Sequence, residues 1–301
     1  MKKLFGTVVP IVTPLTEEDA IDVASLRRLV DHCIDGGVSG LYPCGTTGEM
    51  MYLTVEERKL VAEETVRQAA GRLPVFVQVG AWNQADTIAL AQHAVQIGAD
   101  GIGVVTPVFF KLSDRELAAF YQAVSAAVPA DFPVYLYAIP QNAVNDITPA
   151  VAAEIAEKCP NVVGIKYSAP DMTRLQAFMT IRGGDFSVLV GPDHLFEAVC
   201  AVGGKGTVSG NAMIVLEHYK ALWEAIQAKD FDLATRLQRR TNVLNAVLCS
   251  VNNIAAYKVV LKHEGVLATS KMRSPMCSMT PEQEAELLAR LDALDYRKVH
   301  I

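Results

Sequence analysis

The chain has 301 residues, 51% of them hydrophobic and 20% charged, with a formal net charge of -6. That is ample for a large single α/β domain with an appendage, and the acidic, scattered charge excludes a nucleic-acid footprint. No segment is apolar for long enough to span a bilayer, and Pro10 and Pro14 break the run after Met1-Lys2-Lys3, so neither a membrane nor a signal peptide is expected.

Gly6 to Thr13 reads as a first strand, with Pro10 forcing a bulge or an early end. Asp22 is the expected N-cap of an amphipathic helix with Leu26, Leu29, Val30 and Cys33 on one face, ended by Gly36-Gly37. Gly40 to Cys44 is a second strand, and the capping box Thr54-Val55-Glu56-Glu57 opens a helix to about Ala70. Pro74 to Val79 is strand three, followed by a helix from about Gln84 to Ile97. Gly101 to Val105 is strand four, followed by a second capping box, Ser113-Asp114-Arg115-Glu116. Val134 to Tyr137 is strand five, and Thr148-Pro149 caps the helix after it. Val162 to Lys166, Ser187 to Val190 and Gly206 to Val208 are strands six to eight.

Short apolar strands alternating with helices, at the roughly thirty-residue period of βαβ units, predict a buried parallel sheet. With eight units, the expected fold is a closed (β/α)8 barrel of residues 1–225. No Gly-x-Gly-x-x-Gly follows the first strand, so an open dinucleotide-binding sheet has no support. Beyond Gly210 the pattern is all helix. Leu216, Tyr219, Trp223 and Ile226 share a face, two segments follow at about 231–247 and 254–263, and Thr280-Pro281-Glu282-Gln283 caps a last helix. Residues 226–301 are therefore expected to be a C-terminal helical region packed on the barrel, for packing or oligomer contact. The six cysteines are widely spaced, with no Cys-x-x-Cys pair and no Cys/His cluster at zinc-ligand spacing. They read as reduced thiols of a cytoplasmic protein, and no metal is expected.

Strand six ends an apolar run on Lys166. An ammonium there must be paired, reach water or be given up as a neutral amine, and a neutral amine can form a Schiff base with a carbonyl. On its own the strand favours a plainer reading, with Lys166 snorkelling or pairing at the surface. The barrel reverses that preference, because its chemistry sits at the C-terminal strand ends. Gly45-Thr46-Thr47-Gly48-Glu49, Thr106 to Phe110, Tyr137, Ser168, Gly191-Pro192-Asp193-His194 and Ser209-Gly210-Asn211 would then share one mouth with Lys166. Each has its ordinary alternative. The glycine-flanked threonines make either a tight turn or an anion cradle. Tyr137 is either a core aromatic or a proton carrier, and Asp193 is either a helix N-cap or a ligand. His194 reads as a half-exposed helix residue, and Phe109-Phe110 as core or as a wall reaching a neighbouring subunit.

Gly45-Thr46-Thr47-Gly48-Glu49, Tyr137-x-x-Pro140 and Gly164-Ile165-Lys166, in this order, resemble the dihydrodipicolinate synthase/N-acetylneuraminate lyase family of class I aldolases. The resemblance covers nearly the whole chain and implies a (β/α)8 barrel, no cofactor, pyruvate or another 2-oxo acid as ligand, and a homotetramer built as a dimer of dimers. It implies that Lys166 is the Schiff-base lysine and Tyr137 the proton shuttle. Thr46 and Thr47 would hold the pyruvate carboxylate and orient the tyrosine. Asp193 and Ser209 fall where members acting on polyhydroxylated acids bind substrate hydroxyls, and Ser168 and Gly191 join them as expected substrate contacts. The protonated imine would be the electron sink for cleavage of a carbon–carbon bond, with Tyr137 taking the proton of the C4 hydroxyl.

Several positions depart from the family pattern. Val108-Phe109-Phe110 offers no tyrosine where members often supply one across a subunit interface. Gln141-Asn142 stands where the synthase branch has an arginine for a second carboxylate, and a neutral amide cannot replace that charge-assisted contact. Ala138 and Tyr167 replace commoner polar residues. The expected function is therefore an oxo-acid lyase that splits a 2-keto-3-deoxy sugar acid, or a similar hydroxylated acid, into pyruvate and an aldehyde. The alternatives are 4-hydroxy-tetrahydrodipicolinate synthesis, a Schiff-base dehydratase and a non-catalytic 2-oxo-acid-binding barrel. A sugar-phosphate enzyme has only Gly203-Gly204 to recommend it.

Overall fold

The computed structural model describes residues 1–299; the last two residues of the 226–301 region lie outside them. Eight parallel strands form the sheet: β1 (Gly6–Val9), β2 (Gly40–Leu41), β3 (Phe76–Gln78), β4 (Gly101–Val105), β5 (Val134–Ala138), β6 (Val162–Tyr167), β7 (Ser187–Val190) and β8 (Gly206–Val208). Their order is β2-β1-β8-β7-β6-β5-β4-β3. The barrel closes where Leu41 bridges Val75 in parallel, with Leu41 N donating to Pro74 O and Gln78 N to Pro43 O. β1 stops at Val9, immediately before Pro10, which has no N–H to continue the ladder.

The helices are α1 (Val23–Asp35), α2 (Val55–Ala69), α3 (Gln84–Gln96), α4 (Asp114–Ala126), α5 (Pro140–Ala143), α6 (Pro149–Lys158), α7 (Met172–Met179) and α8 (Phe196–Ala201). After the last strand come α9 (Leu216–Ala228), α10 (Phe231–Leu248), α11 (Asn253–His263) and α12 (Pro281–Ala293). Asp22 caps α1 as the sequence predicts, and complete capping boxes open α2, α4 and α12. The short α5 is new, since four residues carry no readable periodicity. α9 runs through residue 225, so the boundary drawn there falls inside a helix. Among the described residues no single helix is long and apolar enough to cross a membrane.

Two apolar layers place the site. Outward strand residues pack under the helices, while Leu4, Val8, Tyr42, Phe76, Tyr135, Val163, Leu189 and Val208 fill the barrel interior. The N-terminal segment plugs the lower end, where Leu4 N donates to the Tyr135 hydroxyl at 2.9 Å. Only the opposite end, at the C-terminal edges of the strands, is left for chemistry.

Candidate active site

A bulge aims the key side chain. β5 and β6 pair Val134 with Val162 but Tyr135 with Gly164, so Val163 is an extra residue in the ladder. Side chains alternate along a strand, and one inserted residue reverses the parity beyond it. Val163 faces the interior; without the bulge Ile165 and Tyr167 would do so too. Instead those two join the helix-side core, and Lys166 turns inward, 4% exposed.

Lys166 pairs in register with Tyr137 of β5. Its Nζ lies 3.9 Å from the centroid of the Tyr137 ring and 5.1 Å from that of Tyr42. Among the described residues no carboxylate pairs with it. The Tyr137 hydroxyl and Thr46 Oγ1 are 3.2 Å apart, so amine, phenol and threonine form one chain of contacts across the mouth.

The Gly45–Glu49 turn supplies a further feature. Gly48 N and Met50 N donate to Gly45 O, and Glu49 N to Thr46 O, while the Thr13 hydroxyl donates to Gly48 O. No protein acceptor takes the amides of Thr46 and Thr47 among the described residues. Two free N–H groups and two half-buried hydroxyls on one tight turn suit a carboxylate. The turn is pinned from far away. Glu49, in a left-handed conformation at φ 59°, forms a buried ion pair with Lys258 of α11 and accepts from Arg273 N at 2.8 Å. Lys258 also donates to Lys271 O at 2.7 Å. Burial pulls the Lys258 ammonium below its usual range, with Glu49 opposing the shift.

Ser168 and Gly191 lie together beyond Lys166, where a Cβ on residue 191 would overlap the Ser168 hydroxyl. Gln141 Nε2 donates to Ser168 O at 2.8 Å. A cavity of about 330 Å3 opens beside Thr46, lined by Met50, Met51, Val105, Val108, Ile139 and Asn142 among others. Among the described residues Glu49, already paired, is its only charged lining residue.

Asp193 and Ser209 are placed differently from the other expected ligands. Val208 faces the barrel interior, so Ser209 faces outward, where its hydroxyl meets Tyr219 of α9 at 3.1 Å and accepts from Ala212 N. Asp193 Oδ2 accepts from Asn211 Nδ2 at 2.6 Å, and Asp193 lies within a short 3-10 turn whose N-cap is Pro192, not at the cap itself. Burial lifts the Asp193 carboxyl above the usual carboxylate range, against the opposing pull of Ser209, Asn211 and Tyr219. Both residues thus belong to one polar cluster with Asn211 and Tyr219, in which Ser209 is buried and Asp193 half-buried. His194 is exposed, as its plainer reading has it. So is the Phe109–Phe110 pair, at 71% and 72%.

The raised carboxyl makes a testable statement. A group whose pKa is raised by folding lends stability that is complete below its unfolded value and is lost as pH climbs through the folded one. Asp193→Asn is therefore expected to be at least as stable as wild type at pH ~7, with its advantage vanishing below pH ~4. Urea unfolding on both sides of that window reads it; a variant that loses more stability at neutral than at acid pH would contradict the assignment.

Sequence reasoning missed Tyr42, Lys258 and the bulge. The signal for Lys258 was present, as the one charge in the apolar run from Ile254 to Leu261, which the structure buries throughout.

Comparison with known proteins gives the family and the fold. The Dihydrodipicolinate synthetase family matches residues 3–294. The chain belongs to that family. It is 37% identical over 245 residues to the 4-hydroxy-tetrahydrodipicolinate synthase of Salinibacter ruber, covering 81% of this chain and 80% of that one. It is 34% identical over 289 residues to the enzyme of the same name from Acidiphilium cryptum, covering 96% and 98%. Among solved structures, a Ruminococcus gnavus sialic acid aldolase superposes with a TM-score of 0.92 at 29% identity, covering 99% of this chain and 100% of that one. YagE, a dihydrodipicolinic acid synthase family protein of E. coli K12 in complex with pyruvate, superposes with a TM-score of 0.91 at 28% identity, covering 97% and 99%. The expected barrel with a helical C-terminal part is borne out, and the chain is a lyase of the aldolase class.

Proposed function

We propose that this dihydrodipicolinate synthetase family member cleaves a 2-keto-3-deoxy sugar acid, or a similar hydroxylated 2-oxo acid, reversibly to pyruvate and an aldehyde, through a Schiff base on Lys166. The observation that carries the reading is the inward amine of Lys166 against the Tyr137 ring, with Thr46 on the Tyr137 hydroxyl. The Lys166 nitrogen attacks the C2 carbonyl, and water leaves to give the protonated imine. Tyr137 takes the C4 hydroxyl proton, the C3–C4 bond breaks, and its electron pair moves into the imine to give an enamine and the aldehyde. Protonation at C3 and hydrolysis of the imine then release pyruvate and free the lysine. Thr46 and Thr47 hold the substrate carboxylate through their amides and hydroxyls, and Ser168 and Gly191 line the next part of the site. Asp193 and Ser209 act from behind, by shaping the β7 and β8 ends.

Among the described residues the cavity beside Thr46 offers Asn142 and no unpaired cation, which supports a substrate whose far end carries no second carboxylate. Condensation of pyruvate with aspartate semialdehyde is the second reading, favoured by the name shared by relatives at 34–37% identity. The exposed Phe109–Phe110 pair supports a homotetramer in which it is covered by a neighbouring subunit, and the compartment we propose is the cytoplasm. Incubation with pyruvate followed by borohydride reduction tests the chemistry: the expected result is a mass increase on the peptide carrying Lys166. No adduct, or an adduct on another lysine, overturns the reading. Pyruvate release from 2-keto-3-deoxy acids, set against pyruvate consumption with aspartate semialdehyde, decides between the substrates.

A further inference from the structure

We infer that Tyr42 is a positioning residue for the Lys166 nitrogen, its ring face completing with Tyr137 an electrostatic seat for the positive charge of the imine. The inference rests on the Schiff-base reading of Lys166 and concerns a residue that takes no part in the chain of contacts from Lys166 to Thr46. The two rings stand nearly perpendicular, at 89° with centroids 6.4 Å apart, and both lie within about 5 Å of the same nitrogen. A cation within roughly 6 Å of an aromatic centroid is attracted by the ring's quadrupole, more strongly where water is excluded. No hydrogen bond or ion pair to the Lys166 nitrogen exists among the described residues, and the two ring faces are the contacts it makes.

The placement of Tyr42 is built into the barrel. It lies just past the end of β2, where Tyr42 N donates to Val9 O, and its hydroxyl end fits against Gly103 of β4. A Cβ on residue 103 would overlap that hydroxyl. The hydroxyl itself has no hydrogen-bond partner among the described residues, and burial keeps the phenol protonated by raising its pKa well above the ordinary value. The ring is therefore the part that meets the nitrogen. During cleavage the nitrogen must be positively charged to receive the electron pair, and a face that favours the cation holds it in that state at the place where the bond breaks.

The competing account is that Tyr42 merely fills the interior beside Val8, Phe76 and Tyr135. A ring of nearly constant volume and falling electron density separates the two. Tyr42→Phe is the reference, followed by 3,5-difluoro- and 3,4,5-trifluorophenylalanine at position 42. Tyr42→Phe sets the reference rate for the series, since it removes only a hydroxyl without a partner among the described residues. Across the fluorinated pair kcat is expected to fall stepwise, by about threefold or more at the trifluoro ring, while KM and the thermal midpoint stay nearly constant. A flat kcat series overturns the inference, as does a Tyr42→Phe variant already as slow as the trifluoro form. Borohydride trapping with pyruvate accompanies every variant. Failure to trap the wild type removes the Schiff-base reading itself, whereas trapping with a flat series removes only the role of Tyr42.

Discussion

Replacing Lys166 with methionine is expected to abolish borohydride trapping by pyruvate and to lower turnover by at least about 10^4-fold, the scale seen when a covalent nucleophile is deleted. Methionine keeps the volume and the unbranched shape, so the barrel interior need not collapse. The contrast with Tyr137→Phe makes the result diagnostic. That variant keeps the ring 3.9 Å from Nζ and loses only the hydroxyl shared with Thr46. It should still trap pyruvate, but release it from a 4-hydroxy-2-oxo acid about 10^2- to 10^4-fold more slowly, as loss of a general acid–base group demands. Equal loss of trapping in both variants would mean that the phenol acts in imine formation rather than in bond cleavage.

Breaking the Glu49–Lys258 pair should be the costliest single change to stability. The two side chains are 0% and 1% exposed. Lys258→Met leaves a buried carboxylate with only the Arg273 amide to meet it, and removing one partner of such a pair costs about 3–5 kcal/mol. The double variant Glu49→Met/Lys258→Met should recover much of that loss, because no lone charge remains. Recovery should be incomplete, since Arg273 N and Lys271 O lose their partners. Urea unfolding of both variants measures this, and a double variant no better than the single one would show that the pair matters as a hydrogen-bonding centre rather than as a charge balance.

The architecture was legible because local chemistry and global fold agree along most of the chain. Thr54, Ser113 and Thr280 each announce a capping box, and each box forms. The short Val- and Ile-rich strands announce a sheet covered on both faces. The direction of the side chains was less legible. Thr207, Val208 and Ser209 differ little as letters, yet one face of β8 looks into the barrel and the other at Tyr219. Lys166 stood out for its chemistry, but the extra residue at Val163 that turns it inward has no signature in an apolar run. The Asp193 cluster was hidden for another reason: Asn211, Tyr219, Asn245 and Tyr257 come from loops and helices that meet only after the chain folds.

The tether on Glu49 has a bearing on how the protein comes into being. Its two charges are separated by 209 residues of chain. A polypeptide still on the ribosome has all eight strands, Lys166 among them, well before the cation that meets Glu49 has been made. That fastening of the Gly45–Glu49 turn therefore arrives late in translation, and a chain cut short between Val208 and Lys258 has every strand of the barrel but no cation for the Glu49 carboxylate.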